Sequence, residues 1–159
     1  MNRYEERTRE VKREEAEVQF SAFSNATALR IGLRLVEVAT EAGQVVTIDI
    51  TRGEHQLFHH ALEGTSADND DWIRRKNRVV RRFGHSSFYM GLYYTSQDTT
   101  IEEKSLLDPR EYAPHGGAFP ITIKDVGVVG TVTVSGLPQE EDHKLVVSVL
   151  REFCDGAPS

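Results

Sequence analysis

Two pairs of strand-like segments constrain this chain most. "QVVTIDIT", residues 44–51, places Val46, Ile48 and Ile50 on one side and Thr47 and Asp49 on the other, the period-two pattern of a half-buried strand. "RGE" supplies a turn, and "HQLFHHAL" follows as the second strand of a hairpin. Later, "AFPITI" and "VVGTVTVSG" repeat the arrangement around "KDVG". Two hairpins in a chain otherwise built from helical periods predict one mainly antiparallel sheet flanked by helices, an α+β domain.

The helical segments are graded by their signals. Residues 3–19 read as a charged helix in which Tyr4, Val11 and Val18 recur every seven residues, which suits either a solvated helix or an arm docked on another subunit. "SNATALRIGLRLVEVATEAG" predicts a helix capped by Asn25, with Leu29, Gly32, Leu33, Val36 and Ala39 as its apolar face and Gly43 at its end. "ADNDDWIRRKNRVVRRFG" is the clearest: Asp68 caps it, Trp72, Lys76, Val79, Val80 and Phe83 share a side, and Gly84 follows. A shorter helix is expected after Ser86 or Ser87, and Thr100–Glu103 fits a capping box. The last helix begins near Pro138, with Leu145, Val146, Val149, Leu150 and Phe153 toward the core. The order is α, β, β, α, α, β, β, α, with residues 1–22 as a charged helical arm and 23–156 as a single domain.

Bulk properties exclude several classes. A chain of 159 residues suits one domain. The net charge of −6 does not suit nucleic acid or an anionic membrane. Cys154 is the single cysteine, so an internal disulfide is impossible and a reducing compartment is expected. The stretch "MNRYEERTREVKREEAEVQ" has no apolar core and reads as no signal peptide, and "VGVVGTVTV" is too short to span a bilayer, so a cytoplasmic location is expected.

Most chemical candidates fail on geometry. His55 and His59 share a strand face but lie about 13 Å apart at ~3.3 Å per residue, and His60 points the other way, so this strand does not chelate a metal. "DNDD" lacks the glycine and distal glutamate of a calcium loop and reads as helix capping. Arg74, Arg75, Lys76, Arg78, Arg81 and Arg82 make a basic helix that suits acidic surface or an anionic ligand. Ser135, Asp142 and His143 do not make a triad: no G-x-S-x-G surrounds the serine, and Asp142 and His143 diverge as neighbours on a helix. Cys154 reads as an inert buried thiol.

"YAPHGGAFPITI", residues 112–123, is different. Two glycines allow positive φ and close backbone approach, and their N–H groups can form an anion-binding concavity. His115 before them is a ligand, a proton donor or a turn residue.

"HGGAFPI" followed by "GVVGTVTVSGLPQEEDHKLVV" resembles the signature of the GlcG/HbpS-like domains, which include haem-binding HbpS, the glycolate-operon protein GlcG and the C-terminal domain of PduO-type proteins. "DDWIRRKNRVVRRFGHSS" is similar to the branch formerly catalogued as an uncharacterised family and now labelled haem-degrading by similarity. The resemblance runs from about Ala26 to Phe153. It implies a profilin-like α/β/α sandwich with a five-stranded, mainly antiparallel sheet flanked by helices, the fifth strand sought inside "FYMGLYYTS". It also implies a homo-oligomer.

Haem or a related tetrapyrrole is the ligand this resemblance favours, with haem breakdown as its associated activity. Haem needs an apolar slot, an axial ligand and cations for its propionates. His115 is the axial candidate, with His143, Tyr112 and Met90 as alternatives. Gly116 and Gly117 let a ring approach, Phe119, Trp72 and Tyr112 are slot candidates, and Arg75 and Lys76 are propionate partners. Ser135, Gly136, Pro138, Asp142 and His143 are the structural residues of the second motif. A second class stays open: an oligomeric scaffold or small-metabolite module, in which "HGG" and "SGLP" shape a subunit interface. A third is an enzyme acting on small carboxylates, with Arg75, Lys76 and the "HGG" amides as the anion clamp.

Overall fold

The two predicted hairpins join through one strand of each. The computed structural model describes residues 3–154, so 1–2 and 155–156 of the two expected units lie outside the described residues. Strands β1 (Thr47–Arg52) and β2 (His55–Ala61) form the first hairpin, and β3 (Ala118–Ile123) and β4 (Gly127–Ser135) the second. β1 pairs antiparallel with β4 from Thr47↔Ser135 to Arg52↔Gly130, giving the order β2-β1-β4-β3.

This pairing sets matched rows of side chains on each face. Val46, Ile48, Ile50, Val132 and Val134 join the main apolar core with Ile31, Leu35, Val146, Val149 and Leu150. The last five belong to α2 (Asn25–Glu41) and α6 (Gln139–Phe153), which cover that side. The opposite face carries Thr47, Asp49, Thr51, Thr131, Thr133 and Ser135, all buried as well. Helix α3 (Ala67–Phe83) covers it and satisfies part of it: Asn77 accepts from the Thr133 hydroxyl and donates to Asp49 at 3.4 Å. β1 is therefore not half-buried as its alternation predicts. It is a central strand with helices on both sides, and on its polar face Asp49 and Thr51 are hydrogen-bonded while the Thr47 hydroxyl is buried without a partner among the described residues.

Local signals place the helices, and packing rotates them. Ser24, not Asn25, caps α2 in a reciprocal box with Thr27. Its buried residues are Ala28, Ile31, Gly32, Leu35 and Ala39, while Leu29 and Leu33 are 50% and 54% exposed. The predicted stripe lies about one residue off, because Gly32 must meet the Phe58 ring of β2, which a Cβ would strike. Ser66, not Asp68, caps α3, boxed with Asn69, and Gly84 ends it at φ +71°.

α1 (Arg3–Glu17) packs on α4 (Ser87–Ser96) of its own chain and buries Val11, with Val18 buried just beyond it, so that the predicted arm finds an intramolecular partner. α5 (Ile101–Ser105) follows Thr100, whose hydroxyl accepts from the Glu103 N–H.

The sheet has four strands among the described residues, not five. "FYMGLYYTS" is α4, capped by Ser86 and wedged against α1, α3, α6 and β3. Its apolar residues point several ways because neighbours surround it, which hides a helical period.

Candidate functional site

The loop before β3 is held on nearly every side. Ala113 N–H donates to the Arg75 carbonyl at 3.1 Å, and the Pro114 carbonyl lies where a Cβ on Gly91 would be. Gly116 N–H donates to Gln139 Oε1 at 2.9 Å, and the Gly117 carbonyl accepts from Val134 N–H at 3.1 Å. Gly116 has no room for a side chain, since a Cβ would collide with the Gln139 carbonyl. Gly117 sits at φ +140°, and a Cβ there would collide with the Val134 carbonyl and come within 2.7 Å of Lys76 Nζ. The two glycines are therefore demanded by close approach, and the Gly116 amide is already occupied by Gln139.

His115 is the ring this loop presents to open space. It meets Trp72 edge to face, with centroids 5.6 Å apart, at the mouth of a cleft of about 330 Å³. α3 contributes Asp68, Asn69, Trp72 and Lys76, and the end of β4 with the start of α6 contributes Ser135, Gly136, Leu137, Gln139 and Asp142.

Lys76 and Asp142 form the floor. Their side chains are 4% and 2% exposed, with Nζ 3.2 Å from Oδ2. Nζ also donates to the Val134 carbonyl at 3.3 Å, and Asp142 Oδ1 accepts from Leu137 N–H at 2.9 Å. Burial pushes Lys76 down, against the opposing pull of Asp142. Burial likewise pushes Asp142 up, against Lys76 and the Leu137 and Gly136 amides. Beside them, Ser135 Oγ accepts from Asn69 Nδ2 at 3.3 Å. His115, although exposed at the cleft mouth, is held below its ordinary value of 6.5, first by desolvation and then by Lys76 and Arg75, which favours a neutral ring at pH 7.

The structure thus brings together His115, Trp72, Lys76, Ser135, Gly136 and Asp142 from the expected set, and separates others. Phe119 is 1% exposed in the main core, 5.9 Å from the His143 ring, and lines no part of the cleft. Its alternation with Ala118 and Pro120 turns it to the α6 side of the sheet. His143 is buried, its Nε2 2.8 Å from Glu14 of α1. Met90 and Tyr112 belong to a second apolar cluster with Val79, Tyr94 and Ile101. Arg75 stacks over Trp72 at 4.1 Å and donates to Asp71 at 2.9 Å. Of the expected anion clamp of Arg75, Lys76 and the "HGG" amides, Arg75, Lys76 and the Gly116 amide each hold an internal partner.

Pro138 is the residue before α6. Asp68, Asn69, Leu137 and Gln139 were not singled out as site residues by the sequence. The signal for Asn69 was the Ser66-x-x-Asn69 box, which fixes where α3 starts and so what its first turn faces. Asp142 is expected as a structural residue of the second motif, and the arrival of Lys76 on the buried side of α3 makes it part of the cleft floor.

The family model described as haem degrading protein HbpS-like matches residues 23–151. The chain belongs to the HbpS-like family. A UPF0303 protein of Streptomyces coelicolor is 52% identical over 144 residues, 91% of this chain and 91% of its own length. A UPF0303 protein of Psychromonas ingrahamii is 44% identical over 140 residues, 88% of each. Among solved structures of this fold, the Ybr137w protein is 38% identical with a TM-score of 0.86, covering 93% of this chain and 87% of that one. The structure described as a PduOC:haem complex shares the fold at 13% identity, with a TM-score of 0.69 over 83% of this chain and 95% of that one. Membership in the HbpS-like family bears out the resemblance carried by the "HGGAFPI" and "SGLPQEEDHKLVV" segments.

The HbpS-like description makes haem the group to test against this cleft. A neutral His115 suits an axial ligand. The enclosure does not suit a macrocycle: the cleft is about 330 Å³, its floor is an ion pair, and its large apolar walls are Trp72 and Leu137 alone among the described residues. This cleft alone does not enclose a whole haem.

No helix among the described residues is long and apolar enough to cross a membrane.

Proposed function

We propose that this HbpS-like chain binds a small polar molecule in the His115 cleft, without the anion clamp its sequence suggests. One observation carries the reading. A loop pinned through Ala113, Gly116 and Gly117 presents a single ring, His115, above a buried Lys76–Asp142 pair, in a cleft at the lower end of the ~300–1,000 Å³ range of small-molecule sites. Donors and acceptors are mixed there: Asn69, Ser135, Gln139 and Asp68 surround the opening. That mixture suits a neutral, hydroxyl- or carbonyl-bearing metabolite better than a phosphate.

The test is a titration of the ¹⁵N-labelled full chain with small hydroxylated and carbonyl compounds, dihydroxyacetone among them. Shifts confined to residues around Asn69, Trp72, Gly117 and Ser135–Leu137, lost in His115→Ala, are the expected result. Shifts scattered over the surface overturn the reading.

Haem is the second reading, favoured by the neutral imidazole at the cleft mouth and by the family's description. It requires an apolar wall from outside the chain, which a second copy in a homo-oligomer would supply. Haemin titration with light scattering in the same sample separates the two. A saturable Soret shift lost in His115→Ala, in an oligomer, establishes the second reading in place of the first.

A further inference from the structure

The amine on the cleft floor has the setting of a reactive lysine. A lysine that only pins two helices together would be enclosed by protein, whereas Lys76 forms part of an open cleft while remaining 3% exposed as a residue. Its nitrogen is admitted to this floor by Gly117, where a Cβ would stand 2.7 Å from Nζ. An ammonium has three N–H groups, and Nζ has two acceptors among the described residues, Asp142 Oδ2 and the Val134 carbonyl. Asp142 lies within direct proton-transfer distance at 3.2 Å. His115 at the mouth and Ser135 beside the floor supply further polar atoms toward anything that enters.

We propose that Lys76 condenses with the carbonyl carbon of a small hydroxylated aldehyde or ketone, forming an imine inside the cleft. This rests on the small-polar-ligand reading and names its substrate class. The ammonium passes one proton to Asp142, and the freed nitrogen lone pair attacks the carbonyl carbon. The N–C bond forms as the C=O π pair moves to oxygen, and the nitrogen passes a second proton to that oxygen, giving a neutral carbinolamine. Asp142 returns its proton to the hydroxyl oxygen, the C–O bond breaks as the nitrogen lone pair forms the C=N bond, and water leaves, so the net change is an ammonium and a carbonyl converted to an iminium and one water. No oxidant, reductant or metal enters this balance. Burial makes the step accessible near neutrality, because desolvation favours the uncharged amine that must attack.

The chain carries an internal control. Its other lysines, Lys12, Lys104, Lys124 and Lys144, are all exposed. The full-length protein is incubated at pH 7 with dihydroxyacetone and cyanoborohydride, which traps an imine as a stable secondary amine, and the adducts are mapped by peptide mass spectrometry. The expected result is saturable modification of Lys76 roughly tenfold faster than any exposed lysine, as a desolvated amine predicts. A merely structural Lys76 would be labelled last, and labelling spread over the four exposed lysines overturns the inference. The same compound is titrated without reductant. Cleft shifts with no Lys76 adduct overturn the imine and leave the binding reading standing. No cleft shifts and no Lys76 adduct overturn both.

Discussion

Lys76 Nζ of α3 lies 3.2 Å from Asp142 Oδ2 of α6, a pair joining residues 66 positions apart across the end of the sheet. Both side chains are almost wholly buried, so each loses hydration that the other must replace. Burial moves each toward its uncharged form; Asp142 opposes this for Lys76, and Lys76 with the Leu137 and Gly136 amides opposes it for Asp142.

Removing one partner should therefore cost more than removing both. Asp142→Leu leaves a buried ammonium and Lys76→Met a buried carboxylate, and each should destabilise the fold by about 3–5 kcal/mol. The double variant Lys76→Met/Asp142→Leu should recover most of that loss. Urea unfolding of the two single variants and the double variant measures it, and additive costs would mean the two groups do not interact.

Gly117→Ala should destabilise through backbone and amine together. A φ of +140° costs a non-glycine residue about 1–3 kcal/mol, and the new methyl also displaces Lys76 Nζ. Thermal unfolding should show the loss. The nearby Ala118→Gly keeps the amine undisturbed and should leave the Lys76 environment unchanged by NMR.

His115 should titrate below 6.5, because burial and then the charges of Lys76 and Arg75 disfavour its imidazolium. The folded value lies below the unfolded one, so the unfolded chain takes up more protons as acid is added. Stability from this group is complete above about 6.5 and falls as pH drops toward the folded value. His115→Gln should flatten that slope. Arg75→Gln should move the His115 titration upward, read from its ring proton shifts.

Glu14 ties α1 to the domain through His143, whose Nε2–H donates to Oε1 at 2.8 Å. Burial raises Glu14, but the His143 hydrogen bond and the charges of His143, Arg7 and Arg151 outweigh it, holding the carboxyl below its ordinary 4.5. Its stabilisation is present above that value and is lost as pH falls through the lower, folded one. Glu14→Gln should speed amide exchange in α1 at pH 7 and leave the sheet unaffected. Equal exchange in both proteins would show that the other contacts of α1, buried Val11 and the Glu15–Ser86, Arg7–Glu140 and Glu17–Arg151 bonds, hold it without Glu14.

The sequence by itself determined the elements and the partners nearest in the chain. Alternation in "TIDIT" and "TVTVS" marked two strands whose hydroxyl rows and aliphatic rows match, and Gly84 and the Thr100 box marked helix ends, because these signals act over a few residues. The second motif and the "HGG" loop carried the family, and the candidates His115 and Trp72 meet at one cleft. Tertiary structure decided the rest. Only packing on both faces of the sheet makes Asp49 a buried residue rather than a solvated one. Only the approach of Phe58 to Gly32 fixes which side of α2 faces inward. The same reason turns Lys76 from a member of a basic helix into the floor of a cleft, and sends Phe119 into the core. Whether a charge is solvated or buried depends on surfaces contributed by residues far away in the chain, and no local pattern carries that information.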